Sequence, residues 1–313
     1  MESHAQKHSE SSALDANRGM DGNAEGTDTS GQSAHRNEDN PAQNPARESQ
    51  QSGTIVVKIG GSTLGGSDTT LQDLVELQRQ GMNPVVVHGG GKIISEWMEK
   101  QGVRPKFVRG LRVTDEPSLD IVVAVLTGLI NKNLVASLVN MGARAIGISG
   151  ADDGMLRAEV KDSELGLVGR VVAVNTDPIK AVMSAGCMPV IAPVAMLTGE
   201  DSTDGNDFEA TLLNINADTA AGEIAFALSA ERLVFLTDVD GVLDTSHRLI
   251  PRLTERQAIG LIRSNVAAGG MIPKLEACVT ALKAGGIAQI VDGRKPLALK
   301  ETVAGKTFGT RVG

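Results

Sequence analysis

From Thr54 onward the chain alternates short, continuous apolar runs with longer stretches of helical periodicity. The run 54–59 (TIVVKI) reads as a buried strand that stops at Gly60-Gly61-Ser62. Asp68 can cap a helix to about Gln80, with Leu71, Leu74, Val75 and Leu77 on one face. A second buried strand, 84–88 (PVVVH), ends at Gly89-Gly90-Gly91 and is followed by a helix over about 92–101. Further strands are expected at 145–149, 189–191 and 233–237, with helical patterns at 118–129, 131–141, 178–186, 217–229, 254–264 and 272–284. Apolar strands alternating with helices predict an α/β fold: a mostly parallel central sheet sandwiched between helices. Ligands of such sheets bind beyond the carboxyl ends of the strands, and glycines gather there in this chain.

Residues 1–53 break this pattern. They hold no Ile, Val, Phe or Trp and a single Leu, Leu14. Nine acids against four bases give them a net charge of −5, most of the −8 carried by all 313 residues. A segment so poor in apolar surface cannot offset its chain entropy, so residues 1–53 are expected to be a disordered acidic tail. It has no apolar core of a secretory signal, and its acids argue against a transit peptide. His4, His8 and His35 are scattered along it, and collecting them around a metal would cost ordering entropy.

Composition narrows the function. Thirty Lys and Arg against 38 Asp and Glu leave no basic excess for nucleic acid, and aromatics at 2% supply few stacking surfaces. Cys187 and Cys278 are too few for a disulfide scaffold and lack metal-ligand spacing, which fits a reduced cytoplasm. The longest apolar stretch, 121–130, is interrupted by Thr127 and Gly128, so no membrane span is expected.

Six short motifs carry candidate chemistry. Lys58 ends an otherwise apolar strand, where it either snorkels at an edge or faces an anion over the Gly60-Gly61 turn. His88-Gly-Gly-Gly-Lys92 is not a Walker A loop, because Val86 and Ile93 occupy the defining positions. Its place between strand and helix nonetheless offers free N–H groups to an anion. Arg112, in Gly110-Leu-Arg-Val-Thr-Asp115, either lies on the surface or holds a carboxylate with its planar fork. Asp218, in Asn214-Ile-Asn-Ala-Asp218, either caps its helix or orients neighbouring lysines. Thr237-Asp-Val-Asp-Gly241 resembles the nucleophile loop of haloacid-dehalogenase-type phosphatases, with Asp238 as phosphoryl acceptor, but the acids after Asp244 are isolated. Lys274, in Gly269-Gly-Met-Ile-Pro-Lys274, opens a helix where the dipole disfavours a cation, which suggests an anion nearby.

The ordered set V-K-I-G-G, V-H-G-G-G, G-L-R-V-T-D, N-I-N-A-D-T-A-A, T-D-V-D-G-V and G-G-M-I-P-K is similar to the acetylglutamate kinase family of the amino acid kinase superfamily. The resemblance spans essentially 54–313. G-L-R-V-T-D and N-I-N-A-D favour this branch over aspartokinase, carbamate kinase or glutamate 5-kinase. It implies ATP-dependent phosphorylation of the side-chain carboxylate of N-acetyl-L-glutamate, the second step of arginine biosynthesis, in a cytoplasmic enzyme. By the same resemblance Lys58 and Lys274 neutralise charge and Asp218 organises them. Gly61, Gly90, Gly91, Arg112 and Asn214 bind substrate. Asp238, Val239, Asp240, Gly241, Val242, Leu243, Val266, Ala267 and Ala268 bind nucleotide. The metal is Mg²⁺ carried by the ATP phosphates, with no protein cage. The implied lobes are 54–230, for the acyl amino acid and dimerisation, and 231–313, for the nucleotide.

Some positions depart from the family. Arg109 stands where a small polar or acidic residue is usual and Leu213 where Tyr is common, both near the implied substrate pocket. The segment 198–208 is longer than usual and reads as a surface hairpin loop. Residues 40–53, with Pro41 and Pro45, do not form the amphipathic helix that ties arginine-inhibited members into hexamers, so an arginine-insensitive homodimer is expected. The nearest rival is a sister kinase acting on carrier-linked aminoadipate or glutamate. That enzyme would want a basic rim, for which Lys100, Arg104, Lys106 and Arg109 are the candidates.

Overall fold

The computed structural model describes residues 53–60, 69–198, 212–306 and 308–313. The expected tail, the Asp68 cap, Gly61 and residues 199–208 of the long loop lie outside these. The first half comprises β1 (Thr54–Ile59), α1 (Thr70–Arg79), β2 (Asn83–His88), α2 (Gly91–Lys100), β3 (Phe107–Val108), β4 (Leu111–Arg112), α3 (Glu116–Val123), a π-helical segment (Ala124–Ile130), α4 (Asn131–Asn140) and β5 (Ala145–Ser149). Then come β6 (Leu156–Val160), β7 (Gly169–Val174), α5 (Asp177–Ser184), β8 (Met188–Ala192), β9 (Val194–Leu197), β10 (Leu212–Asn214) and α6 (Ala217–Ala227). The remainder is β11 (Arg232–Thr237), β12 (Arg252–Leu253), α7 (Glu255–Arg263), α8 (Met271–Leu282), β13 (Ile287–Asp292), α9 (Ala298–Val303) and β14 (Thr310–Val312).

Eight strands form the main sheet in the order β12-β14-β13-β11-β1-β2-β8-β5, parallel throughout except for β13 with β14. The sheet is continuous across residue 230, because β1 pairs directly with β11. β1 is central and buried on both faces, which explains its unbroken apolar run. Side chains alternate along a strand, so Val56 joins the core under α6 and α8, while Ile55, Val57 and Ile59 join the core under α1 and the α3–α4 helix. Lys58 therefore lies on the α6–α8 face. In β2 the alternation puts Val85 and Val87 on that face and Val86, with His88 in phase, on the other.

The sequence pattern missed a second sheet, β10-β9-β6-β7, in which β6–β7 and β9–β10 are antiparallel. Its strands are short: β6 alternates with the charged Arg157 and Glu159, and the apolar runs 171–174 (VVAV) and 194–197 (VAML) are four residues each, the second separated from β8 by Pro193 alone. The two-residue strands β3 and β4 form a separate hairpin.

The expected helices at 118–129 and 131–141 are one continuous element, Glu116–Asn140, 25 residues long. Asp115 caps it by accepting the Ser118 N–H at 3.0 Å, and Pro117 occupies the first turn. By length and composition it could cross a membrane, although the longest purely apolar run in it is short. Its apolar residues Ile121, Val122, Val125, Leu126, Ile130, Leu134 and Leu138 are spent on the protein core.

Helices α6 and α8 cross at closest range where both carry small residues. A Cβ on Gly222 would lie 2.7 Å from the Ala277 Cβ and 2.8 Å from its Cα. One turn toward each N-terminus stand Asp218 and Lys274, so this crossing sets the separation of the two charges. Gly222→Ala should destabilise the protein by about 1–3 kcal/mol through overpacking, read as a lower urea midpoint at unchanged m-value. An equal or higher midpoint would mean that the helices separate freely.

Candidate active site

The carboxyl ends of β1 and β2 and the N-termini of α2 and α6 meet at a cavity of about 210 Å³. Lys58 and Asp218 line it and, with Lys274 outside the lining, form a buried charge cluster. Asn216 caps α6, its side chain accepting the N–H groups of Asp218 at 3.0 Å and Thr219 at 3.1 Å. This fixes the first turn from which Asp218 projects. Lys58 Nζ stands 2.9 Å from Asp218 Oδ1, and Lys274 Nζ donates to Oδ2 at 3.0 Å. All three side chains are largely shielded from water, at 9%, 7% and 14% exposure for Lys58, Asp218 and Lys274. Burial opposes a charge on Asp218, but the ammonium groups of Lys58 and then Lys274 outweigh it and hold the carboxyl below its ordinary range. The cluster carries two cations and one anion, a net positive charge beside a cavity. That answers two choices left open by the sequence: Lys58 is buried rather than at an edge, and the cap of α6 is Asn216, while Asp218 pairs with the two lysines.

The glycine turn forms the adjoining wall. Gly90 is closely packed: a Cβ there would lie 2.5 Å from Ile130 Cδ1 and 2.9 Å from Leu126 Cδ2, so those side chains would have to shift to admit one. Gly91 opens α2 with nothing within 4 Å of its Cβ position. Arg112 reaches this wall from β4 and is buried. It donates from Nη2 to Gly91 O at 2.8 Å and to Ser95 Oγ at 2.8 Å, and from Nη1 to Met98 Sδ at 3.0 Å, while its guanidinium lies 4.8 Å from the Phe107 ring centre. These bonds engage three of the five guanidinium N–H donors. Asn214, at the end of β10, donates to Thr114 Oγ1 at 3.0 Å. Ile94, Phe107, Leu126, Val168 and Ile215 supply an apolar side to the same cavity. None of these five was singled out from the sequence, because isolated apolar residues carry no local signal.

The expected nucleotide segments lie at the ends of β11 and before α8, outside the cavity lining. Asp238, Val239 and Asp240 are exposed, with Asp240 paired to Lys295 at 2.5 Å. Leu243 and Ala268 are also exposed and Val266 is half-buried. Gly241 packs its backbone against Thr310, and Val242 and Ala267 are buried, so those three can offer only main-chain atoms. The two departures from the family pattern do not line the cavity. Leu213 is fully buried, and exposed Arg109 is held by Asp162 and Glu164 at 2.6 and 3.1 Å. Those carboxylates also neutralise one of the four cations of the possible basic rim.

Residues 53–291 match the family described as "Amino acid kinase family". The chain is 44% identical over 258 residues to an acetylglutamate kinase of Dehalococcoides mccartyi, covering 82% of this chain and 93% of that protein. It is 42% identical over 248 residues to an acetylglutamate kinase of Cereibacter sphaeroides, covering 78% and 82%. Among solved structures, smu.665 from Streptococcus mutans UA159 superimposes with a TM-score of 0.69 at 30% identity, covering 83% of this chain and 98% of that one.

Because the pKa of Asp218 is lower in the folded protein than its unfolded value near ~3.9, its contribution is complete above about pH 4 and is lost as pH falls through the folded value. Asp218→Asn leaves two buried ammonium groups without a counter-charge and should cost about 3–5 kcal/mol at pH 7. The deficit relative to the parent should shrink toward pH 3, measured by urea unfolding at both pH values. A deficit independent of pH would mean that the carboxylate charge is not what the cluster needs.

Proposed function

This chain belongs to the amino acid kinase family, and we propose that it transfers the terminal phosphoryl group of ATP to the side-chain carboxylate of N-acetyl-L-glutamate, giving an acyl phosphate for arginine biosynthesis. The observation that carries this reading is the buried Lys58–Asp218–Lys274 cluster, of which Lys58 and Asp218 line a cavity of small-molecule size.

The chemistry suits the residues. A carboxylate acceptor is ionised at neutral pH and needs no general base. One of its oxygens attacks the γ-phosphorus as the bond to the ADP oxygen breaks, and catalysis consists of positioning and charge neutralisation. Lys58 and Lys274 neutralise the moving phosphoryl group from opposite sides, and Asp218 fixes both ammonium groups in a dry site. The Gly90 and Gly91 amides approach the reacting oxygens, and the resemblance assigns Gly61, which is outside the described residues, to the same task. Arg112 and the Asn214 amide, through its second N–H, keep donors for the α-carboxylate. The acyl methyl packs toward Ile94, Phe107 and Leu126. Asp238–Leu243 and Val266–Ala268 receive the nucleotide, so the part after residue 230 acts as the nucleotide lobe and the part before it as the acceptor lobe. The one carboxylate of the cluster is already engaged by two lysines, a donor set suited to phosphate oxygens. Mg²⁺ therefore arrives on the ATP phosphates and contributes charge neutralisation there.

We further propose a soluble, cytoplasmic homodimer. β5 ends the strand order of the main sheet among the described residues, and Leu129, Val139, Met141 and Ile146 are exposed beside it, from 36% to 49%. Light scattering after size exclusion should give twice the chain mass, and Leu129→Glu with Val139→Glu should halve it. A monomeric parent would overturn the assignment.

The functional test is hydroxamate trapping with ATP and, in turn, N-acetylglutamate, glutamate and aspartate, with signal expected only for the first. Lys274→Ala and Lys58→Ala should each lower kcat on the order of 10²–10³-fold, with modest change in KM for ATP. The double variant should lose less than the product of the two, because the groups act as a unit. Arg112→Ala should raise the KM for acetylglutamate far more than that for ATP. A Lys274→Ala variant with near-normal kcat and only reduced stability would make that lysine structural.

A further inference from the structure

His88 is the last residue of β2 and fully buried, immediately before the glycine turn. Its ring is held on both sides. Nδ1 lies 3.2 Å from Gly89 O. A carbonyl oxygen only accepts, so Nδ1 carries the proton and Nε2 presents a lone pair. Nε2 lies 3.2 Å from Asn131 Nδ2. The orientation of that amide is itself determined. Asn131 Nδ2 also donates to Val190 O on β8 at 2.9 Å, and Oδ1 accepts from Lys132 Nζ at 3.1 Å. Turning the amide over would set an oxygen against the Val190 carbonyl and an NH₂ against an ammonium group. Lys132 Nζ is in turn fixed by Gly147 O at 3.0 Å.

The same element reaches the turn twice. The π-helical segment ends at Ile130, whose side chain with that of Leu126 closes the space beside Gly90. The next residue is Asn131. The Gly89 N–H extends the strand ladder by donating to Ile59 O at 2.9 Å, and a Cβ on Gly89 would lie 3.9 Å from Lys58 Nζ. The peptide joining Gly89 to Gly90 is thus anchored at its carbonyl by the imidazole, next to a catalytic lysine.

We propose that His88 is a positioning residue: its neutral imidazole, oriented by Asn131, holds the Gly89 carbonyl and so aims the Gly90 and Gly91 N–H groups at the acceptor substrate. This rests on the reading of that turn as the acceptor-binding turn. The charged groups that act on the ring are Lys58, which projects from β1 on the opposite face of the sheet with Asp218 beyond it, and Lys132 from α4. Burial, helped by those two cations, pushes the imidazole down to about 4 against the opposing effect of the Gly89 bond. The ring therefore stays neutral, and the turn keeps one geometry, across the pH range in which a solvated histidine would titrate.

The test combines histidine ¹⁵N NMR on the full chain with steady-state kinetics. In the parent, the signal absent from His88→Asn should show the Nδ1–H tautomer and no titration above pH 5. His88→Leu should raise the KM for acetylglutamate roughly tenfold, the loss of one hydrogen bond's worth of positioning, with the KM for ATP within about twofold. His88→Asn, whose amide can donate to the same carbonyl, should recover most of that loss. If the leucine variant does not fold, Asn131→Ser, which withdraws the donor from Nε2, should show the same selective rise at smaller size. An Nε2–H tautomer, a midpoint near the ordinary histidine value, or equal changes in both KM values would overturn the proposal. Turnover of acetylglutamate by the parent with unchanged acceptor KM in the variants overturns the proposal alone. A parent with no turnover of acetylglutamate overturns the functional reading and the proposal together.

Discussion

Everything at this site depends on one buried carboxylate serving two lysines. Two ammonium groups brought together out of water repel each other and each forfeits hydration, so neither Lys58 nor Lys274 could be held there alone. Asp218 makes the arrangement stable and still leaves it net positive, which is what a cavity receiving phosphate and carboxylate oxygens requires. The surrounding fold serves this need. The Asn216 cap fixes the first turn of α6, Gly222 lets α8 approach, and the alternation of β1 turns Lys58 to the face those helices cover.

Burial strengthens the cluster and also makes it exacting. A charge in a poorly solvated site interacts strongly with its neighbours, and a displaced partner is not replaced by water. Small residues line the α6–α8 contact for that reason. Gly222, Ala277 and Cys278 contribute little by way of transfer energy, but they permit the close crossing on which the Asp218–Lys274 distance depends. Burial pushes the Cys278 thiol pKa upward, so it behaves as packing rather than as a nucleophile.

The glycine turn is held by different means. Its backbone donors are useful only if their direction is set, and a chain of three glycines sets nothing by itself. Direction comes from outside the turn: Arg112 on the Gly91 carbonyl, the π-helical segment against Gly90, and the strand ladder and His88 on Gly89. The glycine-turn wall and the charge cluster thus share a boundary at the carboxyl ends of β1 and β2.

The central strands β1, β2 and β11 were legible because each is buried on both faces and reads as an unbroken apolar run, and α6 and α8 because their apolar faces repeat at helical spacing. Lys58 and Lys274 stood out as charges where burial or a helix dipole disfavours them, Asp218 as an acid in a helix first turn where the dipole favours it, and the ordered motifs supplied the family resemblance. The second sheet gave only a weak signal, since its strands are short, β6 is interrupted by charges and β9 follows β8 across a single proline. Nor could local pattern foretell that Asn131 would meet His88, or that Phe107 and Val168 would share a cavity. By itself the sequence determined the central strands, the amphipathic helices and which residues carry charge or open a turn, because those follow from interactions among near neighbours. Only the tertiary structure decided which charges meet, which carbonyl the imidazole holds and how close two helices come, because those distances are set by packing between residues far apart in the chain.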